Sequence, residues 1–109
     1  MASAHKVLGQ SNPSAATNTT LYTVPGATQA IVSTITVCNR SATATSFRIA
    51  IRPAGASISN EHYIYYDVPI AGNDAFAATL GFALATTDVI TVYATLATLS
   101  FTATGVEIT

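Results

Sequence analysis

The residues able to do chemistry in this 109-residue chain are sparse: His5 and His62, one cysteine at Cys38, five carboxylates and five tyrosines. Catalysis needs a base, a nucleophile or a metal cluster gathered at one place. His5 and His62 stand far apart, and no His or Cys lies at a ligand spacing near either, so no metal site is expected. His62 and Asp67 are five positions apart in a run that reads as a strand, which puts them on opposite faces and argues against an acid/base pair. Cys38 follows Val37 in another such run and, with no histidine placed to activate it, reads as a small apolar packing residue. The sequence contains no glycine-rich phosphate loop, no paired-carboxylate motif and no G-x-S-x-G elbow. Neither enzymatic activity nor a cofactor is expected.

What remains is a set of contact-forming side chains. Tyr63, Tyr65 and Tyr66 cluster in one segment, and Arg48 and Arg52 share one face of another. Tyrosine and arginine are the residues that most often carry binding energy at protein interfaces. The tyrosines read either as cross-strand and interface residues or as a platform for stacking on sugar rings. The first is favoured, because tryptophan is absent and polar residues to orient a sugar are few. Near the N-terminus, Val7 and Leu8 are the one apolar pair in a polar stretch and join the candidate interface set.

The elements that must position these residues are strands. Leu21 to Val24 closes at Pro25-Gly26, a strand-breaking turn dipeptide. Over Ala30 to Asn39 the alternation sets Ile31, Ser33, Ile35 and Val37 against Val32, Thr34, Thr36 and Cys38. Thr45 to Arg52 points Phe47, Ile49 and Ile51 inward and Ser46, Arg48, Ala50 and Arg52 outward. After a polar loop over 53–60, His62 to Val68 returns to strand, and Ala71-Gly72-Asn73-Asp74 turns the chain. Ala75 to Leu84 aligns Phe76, Ala78, Leu80, Phe82 and Leu84, with Gly81 marking a bend or bulge. Val89 to Leu96 sets Ile90, Val92 and Ala94 against Tyr93. Leu99 to Thr109 runs Leu99, Phe101, Ala103 and then shifts phase at Gly105 to Val106 and Ile108, as a bulge in that strand would produce. Seven to eight short strands with turns between them predict a single-domain, all-β antiparallel sandwich or jelly-roll-like barrel.

Residues 1–18 differ from the rest and read as an extended N-terminal arm preceding a β-sandwich domain over 19–109. The stretch from Ser11 to Asn18 is too polar to offset its own ordering entropy. An edge strand over Lys6 to Gln10 followed by a loop is the alternative.

Charge narrows the partners. Four cations against five carboxylates give a net charge of −1, and only 8 % of residues are charged, where about a quarter is usual. Four scattered cations cannot neutralise a phosphate backbone, which excludes nucleic acid. No apolar run reaches the roughly 18 residues needed to span a bilayer, and the first residues lack a signal-peptide pattern, so synthesis in a cytosol without membrane insertion is expected. The glycosylation patterns at Asn18 and Asn39 are then coincidental. One cysteine permits no intrachain disulfide. A nearly neutral, Thr-coated surface suits protein neighbours in an assembly better than a free monomer.

The segments Leu21-Tyr22-Thr23-Val24-Pro25, Val37-Cys38-Asn39-Arg40, Tyr65-Tyr66-Asp67-Val68-Pro69-Ile70, Val92-Tyr93-Ala94-Thr95-Leu96 and Gly105-Val106-Glu107 resemble those of small virion proteins of tailed bacteriophages, over almost the whole chain. The resemblance implies a β-rich virion component made in the bacterial host cytoplasm, in capsid decoration, neck, tail or fibre. The expected role is a capsid decoration or cement protein that contacts the major capsid protein or other virion proteins as a homo-oligomer, a trimer or dimer. The alternative is a neck, collar, tail or fibre component with a receptor- or glycan-binding role.

Overall fold

The protein is described here by a computed structural model that covers residues 2–109, and in them regular structure is strand apart from two short 3₁₀ turns, Pro53–Gly55 and Asn60–His62. The eight strands are β1 (Ser3–Ser11), β2 (Thr19–Thr23), β3 (Gln29–Asn39), β4 (Thr45–Arg52), β5 (Tyr63–Ile70), β6 (Ala75–Leu84), β7 (Val89–Ala94) and β8 (Leu99–Ile108). They form two antiparallel four-stranded sheets, ordered β1-β8-β3-β6 and β2-β7-β4-β5. The pairs β1 with β8, β2 with β7, β3 with β6 and β4 with β5 describe a long ribbon folded at its middle. Consecutive strands therefore switch sheet at every connection except β4 to β5.

The inner faces of the two sheets make one sandwich-like core. Phe47 on β4 meets Phe76 on β6 at 5.2 Å and Phe101 on β8 at 6.2 Å between ring centroids, so one side chain joins both sheets. Around it lie Val32, Ile35 and Val37 of β3 with Ile49, Ile90 and Val92 of the facing sheet, all fully buried. The alternation in β4, β6 and β7 follows the expected faces, because apolar residues at every second position can be buried only by one face of a strand.

Four expectations change. The N-terminal segment is the edge strand β1, paired with β8 from Ser3 to Ser11, and not a free arm; Met1 lies outside the described residues. In β3 the inward set is Ala30, Val32, Ile35 and Val37, because Ser33 is an extra residue that switches the phase and turns Ile31 out to 41 % exposure. Cys38 lies exposed on that outer face instead of packing inside. In β8 no phase shift occurs. The irregularities at Gly105 belong to its neighbours, at Ser33 in β3 and Leu8 in β1. Gly105 is required there, since a Cβ would collide with the carbonyl oxygen of Ile31.

Because β8 keeps its phase, Glu107 faces the interior end of the sandwich. Its carboxylate accepts from Lys6 Nζ of β1 at 2.7 Å and from the Tyr22 hydroxyl of β2, tying β1, β2 and β8 together. The Lys6 ammonium and then the Tyr22 hydroxyl hold the Glu107 carboxyl below the usual glutamate range. Burial, reinforced by Glu107, pushes the Tyr22 phenol well above its ordinary value. A carboxyl whose pKa is lowered by folding contributes stability above its unfolded value, and that contribution fades as pH falls through the folded value. Thermal unfolding between pH 7 and pH 3 should therefore show part of the acid destabilisation of the native chain missing in Glu107→Gln. Parallel curves for the two proteins would remove this tie from the account.

Candidate functional site

The outer face of the β2-β7-β4-β5 sheet carries an organised cluster of aromatic and charged side chains open to solvent. Its centre is Arg48 on β4, pointing outward as the alternation requires. The neighbouring strand β7 places Tyr93 directly opposite it in register. On the other side β5 carries two extra residues relative to β4, between the Tyr63, Tyr65 and Val68 pairing positions. The irregularity between Tyr65 and Val68 puts Tyr66 and Asp67 together on the outer face, with Asp67 in the left-handed region at φ 50°. A non-glycine residue held in that region inside a strand is sustained by its surroundings, and such strain collects at functional positions.

The geometry is a guanidinium between two tyrosine rings, with a third ring edge-on to one of them. The Arg48 guanidinium lies 4.3 Å from the ring centroids of both Tyr66 and Tyr93. It donates from Nε to Asp67 at 2.7 Å and from a terminal nitrogen to the second oxygen at 3.4 Å. Tyr63 meets Tyr66 edge-to-face at 4.9 Å. The Asp67 carboxylate holds the Arg48 proton more firmly than usual, although burial works the other way. An exposed ion pair alone is worth about 0–1 kcal/mol, and each stacked ring adds roughly 0.5–1 kcal/mol at an exposed site. The stack is thus pre-ordered, while Tyr66 remains 57 % exposed. Two terminal nitrogens of Arg48 retain N–H groups for an acceptor on a partner, since the bonds to Asp67 use only part of the fork.

The structure divides the sequence candidates. Arg48, Tyr63 and Tyr66 come together in the stack, whereas Tyr65 turns inward and packs on Phe47 and Phe76. Arg52 shares the outward face but serves the fold: Nε donates to Thr91 at 2.9 Å and Nη1 to the Ala56 carbonyl at 3.0 Å, fastening the loop over 53–62 across the sheet. Val7 and Leu8 lie on the other sheet and point apart, Val7 outward at 53 % exposure and Leu8 against the core. Tyr93 and Asp67 complete the stack and were not singled out as site residues. Tyr93 was legible, because its phase sets it outside; Asp67 was not, because a turn entry and a bulge look alike in sequence.

The stack has no nucleophile with an adjacent base, and no group of three or more potential metal ligands occurs among the described residues. What it can do is bind through aromatic area, hydroxyls and a stacked guanidinium. No helix among the described residues is long and apolar enough to cross a membrane. Comparison with protein-family models, with curated proteins and with solved structures finds no match for the chain.

Proposed function

We propose that this chain is a structural protein of a tailed-phage virion, acting as a capsid decoration or cement subunit that docks on neighbouring virion proteins. The observation that carries the reading is the strand order. Two four-stranded sheets ordered β1-β8-β3-β6 and β2-β7-β4-β5 are compatible with a jelly roll, an architecture recurrent in viral capsid proteins and lectins. The resemblance of the sequence to small phage virion proteins points the same way. The stack of Tyr66, Arg48 and Tyr93 is the docking element, for it joins the residue types enriched at interface hot spots in a geometry set before binding. The β1 strand takes the place of the extended arm, so removal of residues 1–18 would strip β8 of a partner and would not be a neutral truncation.

Copy number tests the role. Quantitative mass spectrometry of purified particles should find the chain at an abundance comparable to the major capsid protein. A dozen or so copies would place it in the neck, tail or fibres, and absence would end the virion reading. The docking element is tested separately: Arg48→Ala and Tyr66→Ala should each weaken attachment to particles stripped of the protein by more than about 10-fold. Their melting temperatures should move little, because both side chains lie outside the core. Unchanged attachment would remove the stack from the interface.

A second reading has its own observation. Tyr66 presents a ring that is 57 % exposed beside Tyr63, and jelly rolls also serve as lectins. Binding on a glycan array that Tyr66→Ala abolishes would favour a receptor-binding role over cement.

A further inference from the structure

We propose that the outer face of the β1-β8-β3-β6 sheet is a self-association surface, on which a second copy of this chain packs about a two-fold axis parallel to the strands. The proposal is independent of the virion reading and concerns the face opposite the tyrosine stack.

Charge is the first argument. The four strands of this sheet contain only Lys6 and Glu107 as formal charges, and these two bond each other at the inner end. The outer face is therefore left with hydroxyls, methyl groups, the amides of Gln10 and Gln29, the Cys38 thiol and His5, with the half-exposed Lys6, already paired to Glu107, at the rim of the groove. A charged partner would find little to pair with, whereas two identical faces of this composition meet with little repulsion. On the opposite sheet Arg48, Arg52 and Asp67 all point outward, so the neutrality belongs to one side of the molecule.

Exposed apolar side chains are the second. Val7 on β1 and Ile31 on β3 are 53 % and 41 % exposed, two of four large apolar residues so exposed among the described residues. With Val106 on β8 between them they line one open groove of about 530 Å³. Ile31 reaches this face only because the extra residue Ser33 switches the phase of β3. A bulge that turns an isoleucine outward in an otherwise Thr- and Ala-coated face is a costly arrangement for a surface that stays in water.

Shape and area are the third. The far edge of the same face is made by Ala75, Ala77, Thr79, Gly81 and Ala83 of β6, which are small and exposed. Rotation by a half-turn about an axis along the strands sets β1 of one copy over β6 of the other and β8 over β3. The Val7 side of each copy then fills the shallow β6 side of its partner, which gives the isologous contact that a two-fold requires. Strands of ten residues, four abreast, make a face on the order of 600 Å² at roughly 3.3 Å per residue and 4.8 Å per strand, near the roughly 800 Å² per partner of a standard interface.

The register supplies a specific probe. Gln10, Thr102, Thr36 and Ala77 form one row across the sheet, so Gln10 and Ala77 of a single chain are three strands apart. Across the two-fold, Gln10 of one copy lies over Ala77 of the other. Sedimentation equilibrium of the full chain should give a dimer, and Ile31→Asp should weaken dimerisation by at least about 100-fold, with an unchanged β-sheet circular dichroism spectrum. Tyr66→Ala, on the opposite sheet, should leave the dimer intact. A chain carrying Gln10→Cys, Ala77→Cys and Cys38→Ser should be joined into a covalent dimer by a short bifunctional maleimide, which spans the roughly 10 Å between packed sheets that a disulfide does not. A native chain that stays monomeric at the highest concentrations tested, or a dimer untouched by Ile31→Asp, overturns the proposal. A dimer that yields no cross-link overturns the arrangement of β1 over β6.

Discussion

Phe47→Ala should lower the stability of the protein by about 3–5 kcal/mol, the range for removing a large buried side chain and leaving a cavity. Phe47 has no exposed surface, and its ring touches Tyr65, Phe76 and Phe101 at centroid separations of 6.5, 5.2 and 6.2 Å. These four rings stand on four different strands, and Phe76 and Phe101 belong to the facing sheet. The substitution thus empties the place where the two sheets meet and removes aromatic pairs worth roughly 0.5–1.5 kcal/mol each beyond their area. Against a total stability of about 5–15 kcal/mol, such a loss leaves the fold marginal. Urea unfolding followed by circular dichroism would measure it, with Phe47→Leu expected to cost roughly half as much because most of the apolar volume remains. A cost below about 1 kcal/mol for Phe47→Ala would mean that the sheets are joined elsewhere.

Asn39→Ala should be nearly as damaging, by about 3 kcal/mol, although the residue is polar and ends a strand. Asn39 is 1 % exposed. Its amide nitrogen donates to the carbonyls of Thr43 at 2.9 Å and Ala71 at 3.1 Å, and its side-chain oxygen accepts from the Ser41 amide at 3.1 Å. One side chain thereby fastens the β3–β4 turn to the β5–β6 turn, where Gly72 approaches the Ala42 carbonyl so closely that a Cβ has no room. Alanine strands three backbone groups, each costing about 1–3 kcal/mol if it stays buried, with water entry reducing the sum. Hydrogen exchange gives the local signature: the amides of Ser41 and Asn73, the latter bonded to the Ser41 carbonyl at 2.7 Å, should exchange faster in Asn39→Ala. Unchanged protection at these amides would show that the turns hold each other without Asn39.

The two outer faces of the molecule follow from opposite features of its strands. On the β4 side, regular alternation in β4 and β7 sets Arg48 and Tyr93 side by side, and a bulge in the edge strand β5 adds Tyr66 and Asp67. On the β3 side, the sheet is neutral because nearly all the charges of the chain lie in other strands and loops. A bulge in β3 and another in β1 at the same level roughen it with Ile31 and Val7. In both cases an added residue re-aims a side chain that the period of two would have sent elsewhere.

Composition and alternation by themselves determined the all-β class, the approximate positions of the seven strands β2 to β8 and the inward faces of β4, β6 and β7. These are local properties: burial of one face acts on every second residue, and Pro25-Gly26 or Gly72-Asn73 mark turns wherever they occur. The scarcity of charge and of catalytic groupings was likewise visible in the sequence. Only the tertiary structure decided that Ser3–Ser11 joins a sheet, that Ile31 points out while Val32 points in, and that Tyr65 parts from Tyr63 and Tyr66. Each of these depends on a neighbouring strand that is distant in sequence. A bulge exists only relative to its partner, and a polar segment gains ordering energy only from the edge that receives it. The hydroxyl of Tyr22 and the carboxylate of Glu107 are 85 residues apart, and nothing short of folding places them in contact.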